Sequence, residues 1–205
     1  VIKNNIFLGF ILIRDEIREE AYESLRVIKN AGIHVIMITG DDLLTAKSIA
    51  SELNMIDDNS ICLTHDNLEK LSDDEILSNY KNIKVIARAL PKDKLRIASI
   101  LESNGLVVGM TGDGVNDGPA LKRANVGFAM GSGSEVAKEA SDIVIMDDNI
   151  ASIVNAILYG RTIFKSIRKF IILQLTINMC ALSLSIIGPF INIEMPITVV
   201  QMLWI

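Results

Sequence analysis

Cysteine is scarce in this chain: Cys62 and Cys180 are the two among 205 residues, 118 positions apart in unlike surroundings. That spacing argues against a disulfide framework and fits a reducing compartment. Cation excess is missing too. Twenty Lys and Arg stand against 25 Asp and Glu, a formal net charge of -5. No face can then carry the surplus needed to neutralise a phosphate backbone, so no nucleic-acid partner is expected. The N-terminus lacks a charged start followed by an apolar core and a small-residue cleavage site, so no secretory leader is expected there. Carboxylates are absent between Asn149 and Ile193. What is present in quantity is apolar: 50% of residues are hydrophobic and 22% charged, which excludes a disordered tail.

The apolar residues are concentrated. Phe170 to Ile193 is a run of 24 residues without a charge, longer than the roughly 20 residues a helix needs to span a bilayer core of about 30 Å. Arg161, Lys165, Arg168 and Lys169 precede it. Positive charge on one flank places that flank in the cytoplasm, so an integral membrane protein with residues 1–169 cytoplasmic is expected. Met195 to Ile205 is a second uncharged run of 11 residues, too short to cross alone. Gly188-Pro189 is expected to end the crossing, because proline cannot extend the helical hydrogen-bond ladder.

Upstream, β-branched runs alternate with amphipathic segments. Strands are expected at Ile6–Ile13, Ile33–Ile38, Lys84–Ala87, Leu106–Met110, Val126–Met130 and Ile143–Met146. Helices are expected at Glu16–Ala31, Leu43–Met55 and Pro91–Asn104, with Asp57–Asn82 left as a polar stretch. The fold class is α/β, a doubly wound parallel sheet with helices on both faces, followed by a transmembrane helix. Ligands of such sheets bind outside the carboxyl ends of the strands. Two strands end there in nearly the same letters, Thr39-Gly40-Asp41 and Thr111-Gly112-Asp113-Gly114-Val115-Asn116-Asp117-Gly118.

Asp113 and Asp117 are hard oxygen donors on a glycine-containing turn, suited to a Mg²⁺ that keeps waters and touches phosphate. Asn116 can hydrogen-bond a phosphoryl oxygen. Gly112, Gly114 and Gly118 are expected to allow close approach and positive φ. An ordinary acidic turn before a helix is the plainer alternative for Gly-Asp-Gly alone. Thr39-Gly40-Asp41 offers a hydroxyl and N–H groups at a helix start, where anions are favoured, although Asp41 or Asp42 can equally be a plain N-cap. Lys94 falls in the first turn of a helix, where its charge opposes the dipole. It is either a solvated lysine or one that faces phosphate, and Arg88 is a further phosphate candidate.

MITGD at Met37–Asp41, VIARALPKDK at Val85–Lys94 and MTGDGVNDGPALKRANVGFAMGSGSEVAKEASDIVIMDDN at Met110–Asn149 resemble the P-type cation-transporting ATPases. The resemblance runs from Gly9 to QMLWI at the chain's end, and more widely it reaches the haloacid-dehalogenase-like phosphotransferases. It implies that Thr39 touches the transferred phosphoryl group, that Gly40 and Asp41 line the nucleotide side, that Arg88 helps hold ATP and that Lys94 neutralises phosphate. It also implies Asp113 as a Mg²⁺ ligand, with Asn116 and Asp117 completing the loop. The phosphoacceptor motif of that family, D-K-T-G-T on the central strand, does not occur in this sequence. An incomplete sheet, with edges left unpaired where the central strand belongs, is therefore expected. Two smaller departures are Gly118, where the family usually has Ala, and Asp15-Glu16-Ile17-Arg18, where it usually has Asp-Pro-Pro-Arg.

The implied organisation is the later part of a phosphorylation domain (1–149), a helical stalk (150–169), a transmembrane helix (170–191) and the start of a second (197–205). Gln174, Asn178, Ala181 and Ser185 share one helical face, and an intramembrane Asn normally faces protein or a water-filled path. A helix–helix hydrogen bond would serve it equally. QLTIN and VQMLW resemble the calcium pumps, especially the plasma-membrane type, and the resemblance implies Asn178 as a ligand of the transported Ca²⁺. Ala181 stands where the sarcoplasmic-reticulum-type pumps have Glu, which implies one Ca²⁺ per cycle. The expected partners are ATP, the cation, the membrane and the rest of the pump polypeptide. The alternatives are a non-catalytic membrane fragment that regulates a pump and a soluble phosphatase of the same superfamily.

Overall fold

Strand formation begins with the run Ile83–Ala87, IKVIA, which has almost no polar interruption, as a strand covered on both faces requires. The computed structural model describes residues 2–3, 6–7 and 16–191, and divides into two units, Val1–Val154 and Asn155–Ile205. In the first unit the order is β1 (Ile2–Lys3), β2 (Ile6–Phe7), α1 (Glu19–Asn30), β3 (Met37–Ile38), α2 (Leu43–Glu52), β4 (Ile61–Thr64), α3 (His65–Lys70) and α4 (Asp73–Asn79). It continues with β5 (Ile83–Ala87), α5 (Pro91–Ser103), β6 (Gly109–Gly112), a 3-10 turn (Val115–Asp117), α6 (Gly118–Arg123), β7 (Val126–Met130), α7 (Glu135–Ala140) and β8 (Ile143–Ile145).

The strands form two parallel three-stranded sheets, ordered β3-β5-β4 and β6-β7-β8, beside an antiparallel pair β1-β2. β3 and β6, the strands that carry the two related motifs at their carboxyl ends, are each an outer strand of their sheet. The expected incomplete α/β sheet is thus observed as two half-sheets. Ile86 is fully buried in a cluster with Leu68, Ile76, Ile97, Ile100 and Leu101. Val85 and Ala87 pack with Ala46 and Ala50 of α2. The two alanines are four residues apart on one helical face and have no bulk beyond Cβ, so α2 approaches the sheet closely. Each large aliphatic side chain buried in this way contributes about 1.5–3 kcal/mol.

Several boundaries differ from expectation. The strand expected at Ile33–Ile38 is confined to Met37–Ile38, and the one expected at Leu106–Met110 is displaced to Gly109–Gly112. Of Ile6–Ile13 only Ile6–Phe7 is observed as strand, and 8–13 lie outside the described residues. The stretch 57–82 is not an irregular connection: it holds β4, α3 and α4. Ser72 and Glu75 form a reciprocal capping box at the start of α4, a signature present in the letters Ser-Asp-Asp-Glu.

His34 gives this unit a pH response. Its Nε2 lies 3.0 Å from the Ile83 carbonyl and its Nδ1 3.2 Å from Lys84 Nζ, so neutral imidazole donates to the first and accepts from the second. Burial holds its pKa below the usual histidine value, with the Lys84 charge acting in the same direction and the Ile83 bond opposing. A base with a depressed folded pKa contributes full stability above the unfolded value, near 6.5, and loses it as pH falls below that value towards the folded one. Protection factors of the Val85–Ala87 amides, corrected for intrinsic exchange, should therefore fall as pH drops below about 6.5. His34→Gln should flatten that slope; an unchanged slope in the variant would assign it to other groups.

The second unit continues α8 (Ile150–Ile187), which begins in the first and has 38 residues, close to 57 Å at 1.5 Å per residue. It ends at Ile187 and tightens into a 3-10 turn at Gly188–Ile191, where the glycine and proline interrupt the ladder. Ile150–Phe190 is long and apolar enough to cross a membrane, and its most apolar window is unburied. Thr162, Ser166, Thr176, Ser183 and Ser185 donate their hydroxyls to carbonyls four residues earlier. Such back-bonding satisfies a hydroxyl without water, as a helix in hydrocarbon needs.

Candidate active site

Each motif is placed by the strand that precedes it. At the end of β3, the Thr39 hydroxyl donates to Asp41 Oδ2 at 2.9 Å and accepts from the Asp41 N–H at 3.2 Å. The backbone there is stitched to the end of β5: Ala89 N–H donates to the Thr39 carbonyl and Arg88 N–H to that of Asp41. Arg88 adopts φ +50°, a left-handed conformation that a non-glycine residue holds only when its surroundings fix it. Of the two aspartates, Asp42 is the cap of α2, accepting from Leu44 and Thr45 N–H groups and from the Thr45 hydroxyl. The Thr45 bonds, first that of its hydroxyl, lower the Asp42 pKa, with a smaller contribution from the Arg88 charge. Asp41, exposed and not engaged as the cap, is left to face outward with Gly40.

At the end of β6, Asp117 turns back into the loop. Its Oδ2 accepts from the Asp113 and Gly114 N–H groups, both at 3.3 Å, and its Oδ1 accepts from Lys94 Nζ at 2.6 Å. Asp117 is 7% and Lys94 22% exposed at the side chain, so water screens this pair only partly. Lys94 stands in the first turn of α5. Its unfavourable position against the helix dipole is offset by this carboxylate, and its Nζ is held beside the Asp113 loop. The Asp113 carboxylate and Asn116 are exposed.

Close approach, not positive φ, explains Gly112. Positive φ occurs, among glycines, at Gly32 and Gly105 and at none of Gly112, Gly114 and Gly118. A Cβ on Gly112 would lie 2.5 Å from Asp117 Cβ, so only glycine lets the Asp117 side chain fold over the loop. Gly118 is different. It has helical φ -47° and ψ -50°, and a Cβ there would meet Val136 Cγ1 at 3.4 Å and Ala140 Cβ at 3.8 Å. Gly118→Ala should accordingly stabilise α6 by about 0.5–1 kcal/mol and raise the melting temperature, read by calorimetry. A fall in that temperature would mean that the helix start cannot take the extra methyl.

The sites expected from sequence thus fall into two clusters, each at the carboxyl end of a parallel strand. Lys94, Asp113 and Asp117 are brought together around one loop. Thr39, Asp41 and Arg88 are tied together through backbone and hydroxyl bonds, with Gly40 between the first two in the chain, and the contacts that hold Thr39 share no residue with those that hold Asp117. Sequence reasoning missed Gly133 and Ser134. A Cβ on Gly133 would lie 3.1 Å from Asp113 Cα, and Ser134 N–H donates to the Asp113 carbonyl at 2.8 Å. It also missed His65 and Asp93, with Nδ1 and Oδ2 2.8 Å apart.

The donor set fits Mg²⁺ better than a dehydrated ion in a protein cage. Among the described residues no group of three or more His, Cys, Asp or Glu clusters. Asp113 offers an exposed carboxylate, and Asp117, which accepts three hydrogen bonds, has about one lone-pair direction left of four. Two carboxylates completed by water and phosphate oxygens is the shell Mg²⁺ prefers.

Parallel α/β topology with acidic and hydroxyl motifs at the strand ends has its counterpart in family comparisons. Residues 2–125 match the model of the haloacid dehalogenase-like hydrolases, and residues 95–157 match a second model of the same description. The chain belongs to the haloacid dehalogenase-like hydrolases. Within that class it is similar to "Calcium-transporting ATPase 2" of Schizosaccharomyces pombe, 45% identical over 202 residues, covering 97% of this chain and 16% of that protein. It is also similar to "Calcium-transporting ATPase PAT1" of Dictyostelium discoideum, 46% over 186 residues, with 90% and 17% covered. "Calcium-transporting ATPase 7, plasma membrane-type" of Oryza sativa is 43% identical over 204 residues, with 97% and 20% covered. The chain therefore spans 16–20% of the length of these relatives. Among solved structures it is similar to a zinc-transporting PIB-type ATPase in the E2.Pi state, at TM-score 0.72 and 28% identity, covering 90% of this chain and 26% of that one. The resemblance to P-type ATPases read from the motifs is borne out.

Proposed function

We propose that this chain is the later part of the phosphorylation domain (1–149), the stalk (150–169) and the following membrane helix (170–191) of an ATP-driven cation pump whose cargo is Ca²⁺; the second helix start expected at 197–205 lies outside the described residues. Residues 1–169 lie on the cytoplasmic side. The observation that carries the reading is the Lys94–Asp117 pair, which fixes a cation beside two carboxylates at a strand end. That arrangement has little covalent chemistry to perform; it positions phosphate and neutralises charge, which is what phosphoryl transfer requires.

In this reading Thr39 presents a hydroxyl to the phosphoryl group, Gly40, Asp41 and Arg88 line the nucleotide, and Asn116 hydrogen-bonds a phosphoryl oxygen. Lys94 supplies positive charge to the transferring group. Asp113, with the remaining lone pair of Asp117, holds Mg²⁺, which when bound neutralises phosphoryl oxygens. The phosphoacceptor aspartate belongs to a central strand outside this chain, between the outer strands β3 and β6. Asn178 contributes an amide oxygen to the transported Ca²⁺.

The test uses native membranes labelled briefly with γ-³²P-ATP, with and without Ca²⁺, and probed after acid electrophoresis with an antibody to residues 57–82. A Ca²⁺-dependent phosphorylated band far heavier than 22.5 kDa is expected. An unlabelled band near that mass would leave a binding or regulatory fragment instead.

A further inference from the structure

Lys94 is useful only if its helix turn is held still, and that turn is gripped from outside the two motif loops. The segment 65–73, between β4 and α4, reaches the first two turns of α5 at three successive points. Glu69 Oε1 accepts from Lys92 Nζ at 2.9 Å. His65 Nδ1 lies 2.8 Å from Asp93 Oδ2, an oxygen that also accepts the Leu90 N–H at 2.8 Å. Arg96 donates to the Leu68 and Leu71 carbonyls at 2.9 and 2.7 Å, and to Asp73 at 2.6 Å.

The middle contact differs from its neighbours in burial. The Asp93 side chain is 5% and that of His65 17% exposed, whereas Lys92 and Glu69 are 58% and 62% exposed. An exposed pair of that kind contributes little. A carboxylate enclosed this far needs both of its donors, since losing one leaves a desolvated acceptor. Asp93 spends one on the helix's own start, at Leu90, and takes the other from an imidazole 28 residues earlier. The next residue is Lys94, whose Nζ sits on Asp117 at 2.6 Å.

We infer that His65 is a positioning residue for phosphoryl transfer: through Asp93 it fixes the first turn of α5 and so sets where the Lys94 ammonium stands over the Asp113–Asp117 loop. The inference rests on the reading of Lys94 given above. His65 touches neither phosphate nor metal, and its effect passes through hydrogen bonds alone. Supporting contacts of this kind typically change activity 10- to 100-fold, in the manner of the groups that orient metal ligands.

The experiment uses the complete pump polypeptide in membranes and reads the single-turnover rate of phosphorylation by γ-³²P-ATP together with thermal stability. His65→Leu should slow phosphorylation about tenfold or more. His65→Asn, whose amide N can occupy the place of Nδ1, should recover to within about threefold of the parent. Added to Lys94→Ala, His65→Leu should cause no further loss, because both act through one ammonium. Asp93→Asn, which keeps shape but weakens the acceptor, should slow the reaction in a folded protein if the leucine variant fails to accumulate. Parent-like rates in both His65→Leu and Asp93→Asn, or losses that multiply with Lys94→Ala, overturn the inference. An unlabelled parent overturns instead the reading on which it rests.

Discussion

Lys94→Ala is expected to lower the rate of phosphoryl transfer in the complete pump by about a hundredfold or more, the range found when one charged or donor group aimed at developing charge is removed. The Lys94–Asp117 geometry gives this loss two sources. The ammonium would no longer reach the phosphoryl oxygens. Asp117, 7% exposed, would also lose its cationic partner while still accepting the Asp113 and Gly114 N–H groups. Breaking a buried pair from one side costs about 3–5 kcal/mol, and the 22% exposure of Lys94 reduces that figure here because water can reach the carboxylate. Lys94→Arg separates the two sources. It restores charge to Asp117, yet a planar fork does not occupy the place of a compact ammonium, so stability should recover while phosphorylation stays slow. Single-turnover labelling beside thermal unfolding measures both. Full activity in Lys94→Arg would reduce Lys94 to a structural partner of Asp117.

The sequence made the strand ends legible because their residue types have few other uses together. Apolar β-branched runs leading into Thr-Gly-Asp and Gly-Asp-Gly-Val-Asn-Asp place both clusters on the carboxyl ends of strands, and β7 falls on Val126–Met130 as expected. What composition could not show was tertiary. Nothing local links His65 to Asp93 or Lys94 to Asp117, residues 28 and 23 positions apart. The stretch 57–82 reads as polar because α3 and α4 are short and each buries a single large side chain, Leu68 and Ile76. Such helices carry too few apolar positions for a periodic pattern, and their capping residues are the better signal. At Gly112 the expected close approach is observed and the expected positive φ is not: positive φ is a local property, whereas the need for Gly112 comes from a side chain five residues later folding back over it.

The second large effect lies in α8. Asn178 sits in a run whose other polar side chains are Gln174 and hydroxyls that bond their own helix, and its amide oxygen, unlike a hydroxyl, cannot donate to a carbonyl of the preceding turn. Its Oδ1 accepts from Gln174 Nε2 at 3.4 Å, a long bond that leaves the oxygen with acceptor capacity. A neutral oxygen at membrane depth is the donor type that a hard dication takes along with carboxylates and carbonyls. Asn178→Ala should therefore weaken the apparent Ca²⁺ affinity of transport on the order of tenfold or more, because affinity at such sites follows ligand number. The contacts of Lys94, Asp113 and Asp117 are untouched by this change, so labelling by γ-³²P-ATP at saturating Ca²⁺ should persist. Asn178→Asp tests the chemistry further, since it returns an oxygen with added charge and should recover affinity relative to alanine at neutral pH. Equal Ca²⁺ dependence in the alanine variant and the parent would assign Asn178 to helix–helix bonding, where an interhelical amide is worth about 1–2 kcal/mol to packing and nothing to the cargo.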